Sequence, residues 1–524
     1  MNFNKVRFLH AIPLAMLLSA FSVIGYRIEK YTELYKYHKD LITLFMNWFC
    51  IAVFFSIALY LCLGLLEFWS RLPKTNRFSF LKNFGLVFFL IFLSWLPYIV
   101  CNFPGVLYGD SYNMIYMASG VENLSTHHPI IYEFFLKVIF RFFHTKNQAV
   151  FACSTFGVVF NVCVLSLIVS TMRKNDFAPS SAFFALILFM FYPSFPMFSM
   201  IITTDMWFAS CMGLFVVYLR LLFTNEKTSF FEKSVFVISV FGTALFRKVG
   251  GYLIGFTLVV FLIFTFSKFK LHNKKIIVLT CSIALFSNFL LENVIPSKYG
   301  ITKGNVREVF SLPIQQMARI LKYENVDENE YRNIMNYFFS DSNIAEAYYP
   351  WISDNCKFYF NEIYYKQNKL SFFKLAIKLL LKYPRQSLSA YFCNSLGYYY
   401  PIPISWFGAV NLERFPNYNL YLAKGDYPKT VRFIYLNNIK NIPFVKFFFS
   451  IATWFWFAFL FLLYSITQKQ WSFIIVFTPV FILWLTCIAS PVFNEQRYAM
   501  AIYIVLPVLI GIFAGAASNN DLTV

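Results

Sequence analysis

Apolar runs of about 20 residues recur along the chain between short loops that carry the charge, and that length matches a hydrocarbon core of about 30 Å. Backbone amides in lipid must be satisfied within a helix or a closed barrel. The runs do not alternate as barrel strands do, so they read as helices. Spans are expected near 9–26, 43–66, 84–102, 148–172, 180–202, 205–224, 235–247, 250–267, 275–294, 446–467, 472–491 and 497–516. The expected fold is all-α, a polytopic transmembrane bundle of about 12 spans, with 11 or 13 as the margins. Composition agrees, with 59% hydrophobic and 13% charged residues against about 25% charged in soluble domains.

The net charge of +20 would suggest nucleic acid in a soluble protein. Here the Lys and Arg gather in short loops, as the positive-inside rule requires, and no zinc-finger or RRM pattern accompanies them. No nucleic-acid partner is expected. Lys5 and Arg7 place the N-terminus inside. Arg71, Lys74, Arg77, Lys82, Arg173, Lys174, Arg220, Lys227, Lys268, Lys270 and Lys469 mark the other inside ends, so the C-terminus is inside too. The first run lacks a small-residue cleavage site and reads as a retained signal anchor. Ile130 to Phe143 is apolar but short, with Glu133, Lys137 and Arg141 four apart on one face. An in-plane amphipathic helix there lets the later charges obey the rule.

That choice puts four pieces on the outer side: the loop 103–147, the turn 203–205, the segment 295–445 and the turn 491–497. Three units follow: an N-terminal transmembrane module 1–294, a mainly helical outer segment 295–445 and C-terminal helices 446–524. Of the ten Cys, only Cys356 and Cys393 fall in the polar segment. A disulfide between them stays open.

The polar residues at outer ends carry what chemistry the sequence offers. Asp110 follows a glycine in Pro104-Gly-Val-Leu-Tyr-Gly-Asp110-Ser, and Ser125-Thr-His127-His128-Pro129 comes soon after. A carboxylate there can act as a general base or bind a cation, and an imidazole can hydrogen-bond a phosphate or a sugar hydroxyl; alternatively, Asp110 caps a helix starting at Ser111. Asp205 lies between two apolar runs, where a carboxylate usually has a partner or a task, a helix cap included. Arg247 and Lys248 interrupt an apolar stretch at an outer end, where they suit an anionic headgroup or simply snorkel. Arg497 follows Glu495, with which it could form a structural ion pair. Gln315, Gln316 and Arg319 either extend a polar wall or form a solvated helix face. No nucleotide-phosphate loop, HExxH or GxSxG is present, which argues against a pump, a zinc peptidase or a serine hydrolase.

In this order, the elements resemble the C-type glycosyltransferase superfamily, and more closely a poorly characterised bacterial branch of it. The matching residues are Asp110-Ser111, His128-Pro129, Thr204-Asp205, Arg247-Lys248-Val-Gly250, Gln315-Gln316 with Arg319, and Arg497-Tyr498, over about residues 100 to 500. Thr204 departs from the Lys of many relatives, and the single Asp110 from the acidic pair of some. The resemblance implies a membrane glycosyltransferase that moves a hexosyl or pentosyl group from a polyprenyl-phosphate carrier to a glycan, lipid or protein acceptor on the outer face of the bacterial cytoplasmic membrane. Asp110, Asp205 and His128 would be catalytic. His127, Arg247, Lys248, Gln315, Gln316, Arg319 and Arg497 would bind substrate. A divalent cation, Mg or Mn, would be held by Asp110 and Asp205 if by any residues. The alternatives are a polysaccharide polymerase or ligase, and a flippase of lipid-linked oligosaccharides. A flippase would show charges deep within spans and two related halves.

Overall fold

The computed structural model describes residues 5–36, 38–70, 78–107, 109–175, 177–267, 269, 271–339, 343–402, 445–489 and 492–516. The inside-loop markers Arg71, Lys74, Arg77, Lys268 and Lys270 lie outside these residues, as do 403–444 of the outer segment. The first half of the chain forms α1 (Lys5–Tyr31), α2 (His38–Ser70), α3 (Phe84–Cys101), α4 (Ser111–Ala118), α5 (Ile130–Phe142), α6 (Lys146–Lys174), α7 (Pro179–Phe191), α8 (Ser194–Met200), α9 (Asp205–Thr224), α10 (Phe230–Leu245), α11 (Lys248–Phe266) and α12 (Lys274–Phe289). A π-helical turn, Leu290–Val294, joins α12 to α13 (Ile295–Tyr299).

The outer segment holds α14 (Ser311–Tyr323), α15 (Glu328–Met335), α16 (Ile344–Ala347), α17 (Asp354–Lys357), α18 (Glu362–Gln367), α19 (Lys369–Lys382) and α20 (Pro384–Tyr399). The chain ends with α21 (Val445–Phe449), α22 (Ile451–Thr467), α23 (Phe473–Ala489) and α24 (Gln496–Ala516). Among the described residues there is no β-strand, only isolated bridges.

Helices account for most of the described residues of every expected span, and the protein is a polytopic helical membrane protein. Seven helices are long and apolar enough to cross a bilayer, eight if the bent pair α7–α8 counts as one; α3, α22 and α23 are apolar but shorter. The run 180–202 is not the single straight helix expected. It breaks at Tyr192-Pro193 and bends by 58°, because a residue before proline is pushed out of the helical region and Tyr192 is extended. At 13 residues, α5 is about 20 Å long, too short to cross the core.

α9 is apolar all round and is buried on nearly every side by α6, α10 and α24. It is the central post of the bundle, with Asp205 at its head. Around that head the connecting segments meet. Val106 bridges to Ile201, and Ser125 to Thr302. Thr126 N–H donates to the Thr302 carbonyl at 2.8 Å. α20 packs against α14 and also against α1, α22 and α23 of the bundle. The Trp456 and Trp484 indoles donate to the carbonyls of Tyr399 and Tyr398 at 2.8 and 2.9 Å, and Arg385 meets Glu33 at 2.8 Å. Cys356 and Cys393 are both buried free thiols, so no disulfide joins them.

Candidate functional site

Four residues separated by up to 387 positions in sequence meet at the head of α9. Asp205 is the first residue of α9, where the positive helix end favours an anion. Arg247 stands in extended conformation between α10 and α11. Its corner is tight because a Cβ on Gly250 would fall 1.7 Å from the Thr243 carbonyl oxygen. Arg497 lies in the first turn of α24, and Asp110 precedes α4.

Arg497 Nη1 donates to Asp110 Oδ2 at 2.6 Å and lies 4.0 Å from Asp205 Oδ2, with its Nε 3.9 Å from Glu495 Oε1. Arg247 Nε is 3.4 Å from Asp205 Oδ1. The Tyr498 ring lies between the two guanidiniums, 4.6 Å from Arg247 and 4.8 Å from Arg497, an attractive cation–π arrangement on both sides. Three carboxylates thus face two guanidiniums, one negative charge in excess. Asp110 does not cap α4 through its side chain. Burial works against its charge, but Arg497 and the two imidazoles outweigh it and hold the carboxyl below its ordinary range.

His127 and His128 stand edge to face, 4.5 Å apart. Their ring nitrogens and an Asp110 oxygen lie within 4.8 Å of one another. Burial pushes His128 down to about 4, with Asp110 opposing, so the ring is neutral at physiological pH. Its buried Nε2 has no hydrogen-bond partner among the described residues. Two imidazoles and one carboxylate suit Zn, Fe or another imidazole-binding divalent ion better than Mg or Mn, which oxygen ligands suit. The donor set therefore fits a metal, but not the expected pair: Asp205 faces the guanidiniums, and Arg497 stands between it and Asp110.

Lys248 stands at the edge of the cluster, half exposed, 3.7 Å from Glu292 of the π-helical turn and near enough for its charge to oppose protonation of His128. Other expected residues lie elsewhere. Gln315 donates to the Tyr349 and Ile352 carbonyls, and Gln316 to that of Ser387. Arg319 is fully buried against Gln386 and Tyr348. These three hold the outer segment together and do not reach the cluster, because their polar atoms are consumed by carbonyls and side chains of that segment. Sequence reasoning gave Glu495 no role beyond pairing and missed the floor beneath Asp205. There Trp207 stacks on Phe160 at 4.4 Å and meets Tyr132 and Phe246 edge-on. Its place two residues after Asp205, on the same helix end, was the available signal.

The fold and site define a multi-span helical membrane protein with a buried ionic cluster at one end of its bundle. The chain belongs to the DUF6020 family, a family of unknown function whose profile matches residues 121–521. No curated protein matches the chain. Among solved structures, that of ArnT from Cupriavidus metallidurans bound to undecaprenyl phosphate aligns at 12% identity over 82% of this chain and 78% of that one, with a TM-score of 0.32, a likeness too weak to carry an argument.

Proposed function

We infer that the protein is a membrane glycosyltransferase that takes a sugar from a polyprenyl-phosphate carrier and passes it to a cell-envelope acceptor on the outer face of the membrane. The observation that supports this reading is the meeting of Asp110, Asp205, Arg247 and Arg497 at the end of the bundle, with two histidines beside Asp110. Attack of an acceptor hydroxyl on the anomeric carbon needs a base for the proton and support for the departing phosphate. Asp110, held ionised, accepts the proton as the new C–O bond forms. The bond to the carrier oxygen breaks with its electron pair, and Arg497 and Arg247 hold the resulting phosphate, exchanging part of their contact with Asp110 and Asp205 for it. A divalent ion on Asp110, His127 and His128, when bound, would add Lewis-acid support to the same charge. Asp205 positions both guanidiniums from the head of the rigid helix. Charges at span ends rather than mid-bilayer suit transfer at a surface better than transport.

The test uses the purified full chain in lipid, supplied with polyprenyl-phosphate-linked sugars and membrane acceptors. Release of polyprenyl phosphate that stops with Asp110→Asn and Arg497→Ala supports the reading. Release unchanged in both variants removes it.

A further inference from the structure

On the far side of α4 from the ionic cluster lies a cavity of about 520 Å³ between the end of α4, the second half of α5 and the start of α6. α4 has eight residues, so the cavity stands on the order of 12 Å from Asp110 along its axis. It shares no lining residue with the cluster. Lys137, Arg141, His144 and Lys146 line it, and no carboxylate does. Lys137, Arg141 and Lys146 are exposed and make no ion pair among the described residues. Glu133, one turn before Lys137, is buried without a hydrogen bond to either oxygen, and burial pushes it up to about 8. It therefore adds little negative charge nearby.

The apolar part of the wall is as distinctive. Phe134, Val138 and Phe143 line the cavity and are themselves exposed. Such surface is expensive to leave in water beside three cations, but it is what an interfacial helix presents to a bilayer. The position agrees. Thr145 caps α6 through a reciprocal box with Gln148, and α6 is a 29-residue span, so the cavity opens where a span leaves the hydrocarbon, at headgroup depth. The positive end of α6 adds to the field there.

We propose that this cavity binds the phosphate headgroup of an anionic phospholipid, with Lys137, Arg141 and Lys146 on the phosphate and Phe134, Val138 and Phe143 against the acyl chains. The site is independent of the sugar-transfer reading and survives its failure.

The full chain, reconstituted in nanodiscs of mixed phosphatidylglycerol and phosphatidylcholine, is then released and its retained lipids counted by native mass spectrometry. Wild type should retain phosphatidylglycerol in preference. Lys137→Gln, Arg141→Gln and Lys146→Gln should each weaken that preference roughly fivefold, and the triple variant should abolish it. The charge-keeping pair Lys137→Arg and Lys146→Arg should retain it. Equal retention of both lipids by wild type overturns the proposal, as does a triple variant that behaves like wild type. Loss in the charge-keeping pair also overturns it, because charge is then not the determinant. Displacement of the lipid by millimolar inorganic phosphate would identify a free-anion site and reject the lipid.

Discussion

Two buried arginines, Arg497 at the end of the bundle and Arg319 in the outer segment, are held in opposite ways. Arg319 is met chiefly by neutral groups: Gln386 at 3.0 Å, the Tyr348 hydroxyl at 2.9 Å and the Tyr323 ring, with Glu33 at the edge of reach, 4.0 Å away. Arg497 is met by three carboxylates, and a second arginine shares one of them. A guanidinium fixed by neutral acceptors gains little by exchanging them and serves as a fastening. One shared among competing anions can pass from one to another at small cost, because an incoming phosphate replaces like with like. The first arrangement builds; the second is suited to a reaction in which charge moves.

The comparison can be broken most directly at Asp110. Asp110→Asn should lower sugar transfer about 10³-fold or more while leaving the gel-filtration profile unchanged. Arg319→Ala should do the reverse: a loss of about 3 kcal/mol or more in stability, read by thermal unfolding, with the turnover of the surviving folded protein unaltered. Arg497→Lys keeps the charge but loses the planar fork, and transfer should fall about 10–100-fold with little change in melting temperature. A drop in melting temperature as large as that of Arg319→Ala would erase the distinction.

A finer separation comes from pH. The His128 imidazole is held below its unfolded value of 6.5, at about 4. The unfolded chain takes up that proton first, so stability is present above 6.5 and lost as pH falls toward 4. Glu330, under α19, is opposed by burial but held down by Lys382, Tyr383 and Lys378, below its unfolded value of 4.5. Its contribution is present above 4.5 and lost only below that. His128→Asn should flatten the upper window by about 3 kcal/mol, and Glu330→Gln should flatten the lower one. Melting temperatures recorded from pH 7 to pH 3.5 check both, and a single shared limb would argue against two separate ionic regions.

The helices were legible because lipid demands long apolar runs, and each such run is visible locally. The break at Pro193 was less so, since the proline sits inside an otherwise unbroken apolar stretch. Asp110, Asp205, Arg247 and Arg497 could be picked out as polar residues at span ends, but their meeting depends on α9 packing against both α10 and α24, which no local pattern encodes. Gln315, Gln316 and Arg319 show the converse. On a helix of alternating polar and apolar residues, a glutamine that will bond to a carbonyl inside the fold looks the same as one that will face a ligand. Asp110, His127 and His128 stand out in the sequence as residues of one site, but the ligand set expected there is Asp110 with Asp205; the fold instead puts Arg497 between the two aspartates and the imidazoles beside Asp110.

Gly250 has a consequence for how such a chain can change over time. The backbone corner that carries Arg247 is set by the close approach of two main-chain segments, the Thr243 carbonyl against Gly250. Phe and Leu on the lipid-facing surfaces can be exchanged without touching that corner. Divergent relatives would be expected to differ widely over their lipid-facing surface while keeping this corner, so one glycine would be a more durable marker of descent than hundreds of apolar positions.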